Sequence, residues 1–166
     1  MIVYLAGPMT GKPQFNHPAF MAADLALTNQ GHNVFNPAAH DKELYPFMYS
    51  WPGYATGDPS KCPEMDLIAL RRWDYDKIIN RAHCVALLPG YEASAGSAKE
   101  RRLASEVGVP CYIAEDVLKD RPEDLQEVPF TNEITIQTSF QAGEVRVTDP
   151  DTGASKGSKL ARFDLL

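Results

Sequence analysis

The sequence predicts an α/β fold, a four-stranded parallel sheet with helices on both faces. Short apolar runs recur at 2–6, 32–35, 84–88 and 111–114, each too short for a helix. Longer amphipathic stretches separate them, and Gly, Pro or Asn closes the first three runs. Strands alternating with helices at this spacing pair in parallel through right-handed crossovers. The expected strand order is 2-1-3-4, which places ligands at the carboxyl ends of the strands, near the switch point between strands one and three.

Each element has its own signal. Ile2-Val3-Tyr4-Leu5-Ala6 is a buried strand stopped by Gly7-Pro8. Pro18 suits a first helical turn, and Gly31 stops the helix it opens, over about 18–30. The second strand, 32–35, breaks at Asn36-Pro37. Residues 36–62, rich in Pro, Gly, Tyr and Trp, read as one long loop of the kind that forms lids and binding loops. A helix follows at about 63–81, then the strand 84–88, a helix at 96–107 and the strand 111–114. An acidic stretch from 115 to 127 reads as surface helix and loop, and 131–140 alternates like an edge strand. One domain over 1–140 and a polar tail over 141–166 are the expected organisation.

Composition narrows the function. A chain of 166 residues at 44% hydrophobic can bury one sizeable core. A net charge of −6 excludes a generic basic nucleic-acid binder, so the expected partner is a small molecule. No apolar run is long enough to cross a bilayer, and the first residues lack the basic prelude of a signal peptide. Cys62, Cys84 and Cys111 form no C-x-x-C pair, which argues for a reducing, cytoplasmic setting and against a zinc site. His17, His32, His40 and His83 show no metal-ligand spacing and read as core or surface residues.

Two carboxylates fall on apolar faces. At about 100° per residue, Asp74 shares a stripe with Leu67, Leu70 and Ile78, while Asp76 points away. Either Asp74 is structurally paired, for instance with Arg71, or it is catalytic. Glu100 lies on the face of Gly96, Leu103, Ala104 and Val107, one turn into its helix. Either it caps that turn or it is a nucleophile that the helix dipole keeps ionised. Gly7 to Gly11, and Gly90 through Ser94-Ala95-Gly96-Ser97, form two small-residue loops at strand ends that bring backbone N–H groups to a ligand. Neither is a P-loop or a G-x-G-x-x-G motif. Lys99, Arg101 and Arg102 read as a solvated face, with contact to an anionic substrate as the sharper alternative. Tyr49, Trp51 and Tyr54 read as packing residues, or as a surface on which a base stacks.

Taken together, Tyr4-Leu5-Ala6-Gly7-Pro8-Met9, Trp73-Asp74, Leu87-Leu88-Pro89-Gly90-Tyr91 and Ser94-x-Gly96-Ser97-x-x-Glu100-x-x-x-Ala104 resemble the nucleoside 2-deoxyribosyltransferase superfamily. The nearest pattern is a phage and bacterial branch with a Leu-Pro-Gly-Trp/Tyr motif. The resemblance spans about 1–114. It implies a flavodoxin-like (Rossmann-like) fold and cleavage of the N-glycosidic bond of a nucleoside or nucleoside 5'-monophosphate, without a metal or organic cofactor. Under it, Glu100 matches the nucleophilic glutamate and Tyr4 the tyrosine near the sugar. Asp74 matches the preceding aspartate one residue out of register, which leaves Asp76 as the alternative. Gly7, Pro8 and Met9 match the base-pocket loop, and Gly90, Ser94, Gly96 and Ser97 the loop and helix start that hold the 5' group. Ser94 stands where transferases acting on free nucleosides carry aspartate, and a serine there favours a phosphorylated substrate. The family also implies a homodimer.

The last residues, from Thr148-Asp149-Pro150 through Lys156-Gly157-Ser158-Lys159 to Leu166, resemble the opening of a phage-type dATP/dGTP diphosphohydrolase-like domain. Only its first segment is present, so no such activity is expected in this chain. Two further readings remain beside the enzyme: a nucleotide-binding module without catalysis, and a docking domain.

Overall fold

Every residue of the strand β1, Ile2–Ala6, except the first is buried, because both its faces are covered by helices. It pairs in parallel with β2, Asn33–Phe35, on one side and β3, Cys84–Leu87, on the other. A fourth parallel strand, β4 at Cys111–Ile113, pairs with β3, so the order is β2-β1-β3-β4 as expected. This is the α/β, flavodoxin-like arrangement. The computed structural model describes residues 1–119, 122–130, 144–148 and 155–159.

The alternation of β1 divides the core. Val3 and Leu5 face Phe20 and Leu27 of α1, His17–Asn29, together with Val117 of a short helix α5 described below. Tyr4 and Ala6 face the opposite layer with Ile78, Ala104, Val85 and Leu87. That layer is built by α3, Leu67–Asn80, and α4, Ala95–Glu106. Asp66 caps α3 by accepting from the amides of Ile68 and Ala69, which starts the helix four residues later than its sequence pattern suggests. Its stripe is also narrower than expected: Leu70 and Ile78 are buried, while Leu67 and Ile68 are exposed.

Residues 36–62 are not one loop. Asn36 opens a helix, α2, Pro37–Leu44, by accepting from the amides of Ala38 and Ala39 and donating to Asp24 Oδ2 at 2.9 Å. Three single helical turns follow at Met48–Ser50, Tyr54–Thr56 and Pro59–Lys61. Phe15, Met48 and Cys62 hold this segment in a third core, with Trp51 and Tyr54 packed against it. The acidic stretch follows α5, which runs over Ala114–Lys119, into a helical turn at Pro122–Asp124.

Contacts divide the chain into two compact units, Met1–Phe130 and Thr131–Leu166. The described part of the second is an antiparallel ladder between β5, Glu144–Thr148, and β6, Ser155–Lys159, where the sequence reads as tail. The edge strand expected at 131–140, and the expected boundary after residue 140, lie outside the described residues.

Candidate active site

Tyr4 sits in the middle of β1, fully buried, and its side chain rises between α3 and α4. Its hydroxyl donates to Glu100 Oε1 at 2.8 Å across 96 positions of sequence. Asp74 also bears on that hydroxyl, from α3. Burial, reinforced by the charges of Glu100 and Asp74, holds the Tyr4 phenol well above its usual range, so it stays a proton donor. Tyr4, Asp74 and Glu100 therefore meet in space, each from a different element.

The two acids share one environment. Burial pushes the Asp74 carboxyl up to about 7, with the Tyr4 hydroxyl pulling down, Asp41 pushing up and Arg71 pulling down. Burial and then the charge of Asp74 raise Glu100 to about 8, against the downward pull of Tyr4. The helix dipole does not keep Glu100 ionised, contrary to its position in the first turns of α4. Removing the carboxyl from water, with the charge of Asp74 beside it, outweighs the partial charge of the helix end. Near neutral pH the pair holds about one proton between two carboxylates. The capping alternative fails for Glu100. Ser94 Oγ, not Glu100, caps α4, accepting from the Ser97 amide at 3.2 Å. Arg71 is exposed and is the weakest of the influences on Asp74. Asp76 is exposed and engaged by Lys77 Nζ at 3.0 Å and Asn80 Nδ2 at 2.9 Å, which removes it as the alternative acid.

The remaining candidate residues lie at the carboxyl ends of β1 and β3. Gly7 and Pro8 are buried and Met9 half-buried after β1. A Cβ on Gly7 would stand 2.9 Å from Leu88 Cβ and 3.2 Å from Phe20, so this turn packs tightly against the loop after β3. Gly90 adopts φ +86°, a left-handed conformation that side chains resist. Ser97, in the first turn of α4, is fully buried, and its Oγ has no hydrogen-bond partner among the described residues. An unsatisfied hydroxyl beside free helix amides is suited to an anionic ligand. Gly96 is exposed, and a Cβ there would stand 3.7 Å from Ser94 Oγ.

His17, for which the sequence allows a core or a surface place, lies in the core, and Asp41 is a buried acid that the sequence did not mark. Three consecutive left-handed residues, Gln14, Phe15 and Asn16, turn the chain into α1 and bring His17 inward, where it is 5% exposed. Its Nε2 stands 3.8 Å from Asp41 Oδ2 on α2, and Asp41 is also buried. Asp41 was hidden because its helix was read as loop. Asn36-Pro37, a cap followed by a first-turn proline, was the available signal. The basic cluster on α4 is structural at Arg101, whose guanidinium lies 5.0 Å from the Tyr91 ring and donates to Pro129 O at 3.2 Å. Arg102 pairs with Glu106 on the surface. Trp51 packs on Tyr45, Tyr54 meets the His17 ring edge-on, and Tyr49 is exposed. Among the described residues, no group of three or more His, Cys, Asp and Glu side chains is arranged to hold a metal ion. Nor is any described helix long and apolar enough to cross a membrane.

Fold and site together define an α/β protein in which a buried tyrosine on a parallel sheet meets two half-buried carboxylates. Residues 1–77 match a domain of unknown function, DUF4406. That stretch takes in Tyr4, the loop after β1, His17, Asp41 and Asp74, and it stops before Glu100. Comparison with curated proteins finds no match, and comparison with solved structures finds none.

Proposed function

We propose that this protein cleaves the N-glycosidic bond of a nucleoside or deoxynucleoside 5'-monophosphate, with Glu100 as nucleophile, Asp74 as acid and Tyr4 as the group that orients Glu100. The observation that carries this reading is the meeting of two burial-perturbed carboxylates at one tyrosine hydroxyl. Displacement at a sugar carbon uses a pair of carboxyls, one as acid and one as nucleophile. Glu100, the more strongly raised of the two acids, holds the shared proton at rest, and that proton passes to Asp74 before Glu100 attacks. With Oε1 occupied by Tyr4, Glu100 Oε2 attacks C1' through an oxocarbenium-like transition state. The C1'–N bond breaks, its electron pair goes to the base nitrogen, and Asp74 delivers its proton to the departing base. Water then attacks C1', Glu100 leaves as carboxylate and the water proton passes to Asp74. A second base in place of water gives transfer.

Ser94, Ser97 and the α4 amides hold the 5' phosphate, and the unpartnered Ser97 Oγ supports that assignment. Gly7, Pro8, Met9 and Gly90 line the base and sugar side. The expected setting is cytoplasmic, the expected form a homodimer, and no cofactor is required. The test is incubation with a panel of nucleosides and 5'-monophosphates, with chromatography for free base. Base release abolished by Glu100→Ala supports the reading, and undiminished release from that variant refutes it. The upward shift of Glu100 favours a second reading, nucleotide binding without turnover. Calorimetric binding of nucleotides with no base released by the wild type selects it.

A further inference from the structure

The helix α3 is apolar on two opposite sides. Leu70 and Ile78 turn into the core, at 7% and 0% exposure. On the far side Ile68 is 63% exposed and Ile79 47%. At about 100° per residue, Ile68, Arg72, Tyr75 and Ile79 fall within an arc of about 60°. Their spacing, i, i+4, i+7 and i+11, is that of the seam along which one helix packs on another. Asp76 borders the seam on the same flank as Arg72. A helix lying on a sheet needs one apolar stripe, and the isoleucines of this second one stand open to water.

We propose that this seam of α3 packs against the same seam of a second copy of the chain, antiparallel across a two-fold axis. The order of residues along the seam identifies the occupant. With the axis between Trp73 and Asp74, Ile68 meets Ile79 of the second copy and Arg72 meets Tyr75 of the second copy. Each contact then occurs twice, as an interface of identical patches requires. The charges fit the same register. The axis lies in the interface and crosses both helices, so each flank faces the same flank of the other copy. Arg72 therefore comes level with Asp76 of the second copy, to within about 1.5 Å along the helix. Its guanidinium reaches a ring and a carboxylate there, both of which it binds well. Asp76 accepts one hydrogen bond on each oxygen, from Lys77 Nζ and Asn80 Nδ2, which leaves lone pairs for a guanidinium. Arg72 is exposed and makes no ion pair among the described residues. A seam on one helix of 14 residues is smaller than a standard interface, so the pairing depends on concentration. The proposal does not rest on the glycosidic reading, because α3 turns Asp74 to its other side.

Sedimentation equilibrium on the full chain over a range of concentrations tests this. The wild type passes from the mass of one chain to the mass of two as concentration rises. Arg72→Glu and Asp76→Lys each set like charges face to face at two places, and each weakens self-association by about tenfold or more. An equimolar mixture of the two variants associates again, because each copy then offers the charge that the other lacks. Pairing of the two residues within one helix cannot produce that rescue. Ile79→Arg weakens association as well. All three positions are exposed, so the variants fold, and circular dichroism checks it. A wild type that keeps the mass of one chain at every concentration overturns the proposal. So does a mixture that associates no better than its components. A dimer untouched by all three substitutions overturns it too, and moves the contact to another face. Base release bears on the glycosidic reading alone and leaves this result unchanged.

Discussion

Tyr4→Phe removes one oxygen atom and tests the centre of the site. The lost group is a phenol that donates to Glu100 Oε1 at 2.8 Å, on a residue that is wholly buried. Phenylalanine keeps the ring, so β1 and its packing against Ile78 and Ala104 survive. A hydrogen bond to a charged group contributes about 1.5–3 kcal/mol, which corresponds to a loss of about 10- to 150-fold in kcat. The pH profile carries a second signature. The Tyr4 hydrogen bond pulls the Glu100 pKa down against burial, so its removal sends that pKa further up. The acidic limb, where Glu100 must ionise, then moves to higher pH, and activity at pH 7 falls more than activity at pH 9. The assay is base release from a deoxynucleoside monophosphate between pH 5 and pH 9 with purified, folded variant. Wild-type rates with an unmoved acidic limb would refute the argument that Tyr4 orients and charges Glu100.

Other outcomes follow from the same geometry. Asp74 and Glu100 have folded-state pKa values raised above their unfolded ones, so the native state holds more protons and stability falls as pH rises from about 4 through about 8. Glu100→Gln should therefore melt higher than wild type at pH 8, by on the order of 1–3 kcal/mol, with the gap closing by pH 4; calorimetry across that range checks it. Ser97→Ala should leave thermal stability nearly unchanged, because its Oγ is unpartnered, yet raise KM for 5'-monophosphates and not for free nucleosides. Ser94→Ala should cost about 1 kcal/mol of stability by removing the α4 cap, measured by urea unfolding. Gly7→Ala should cost more, about 1–3 kcal/mol, because its Cβ would meet the Leu88 Cβ rather than the end of a flexible side chain; an unchanged urea midpoint would contradict the tight turn.

Much of the fold was legible because it depends on local pattern. Ile2–Ala6 is apolar throughout since helices cover both its faces, and strand order follows from short right-handed crossovers. The helix α2 was not legible from composition, because eight residues amid Pro, Gly and aromatic neighbours present too short a pattern. With it went Asp41, although Asn36-Pro37 marked the start. A core place for His17 was among the readings, but the left-handed turn at Gln14, Phe15 and Asn16 that leads into it was not legible, because it carries no glycine to announce it.

The sequence by itself determined which acids face inward: Asp74 and Glu100 each lie on the apolar side of their own helix, and helical period alone decides that. Only the tertiary structure decided what they meet and what charge they hold. Parallel pairing of β1 with β3 sets Tyr4 opposite Val85, and the layer of α3 and α4 closes over it. Burial then reverses the ionisation that the helix dipole alone would favour, because desolvation depends on every neighbouring atom and not on position along a helix.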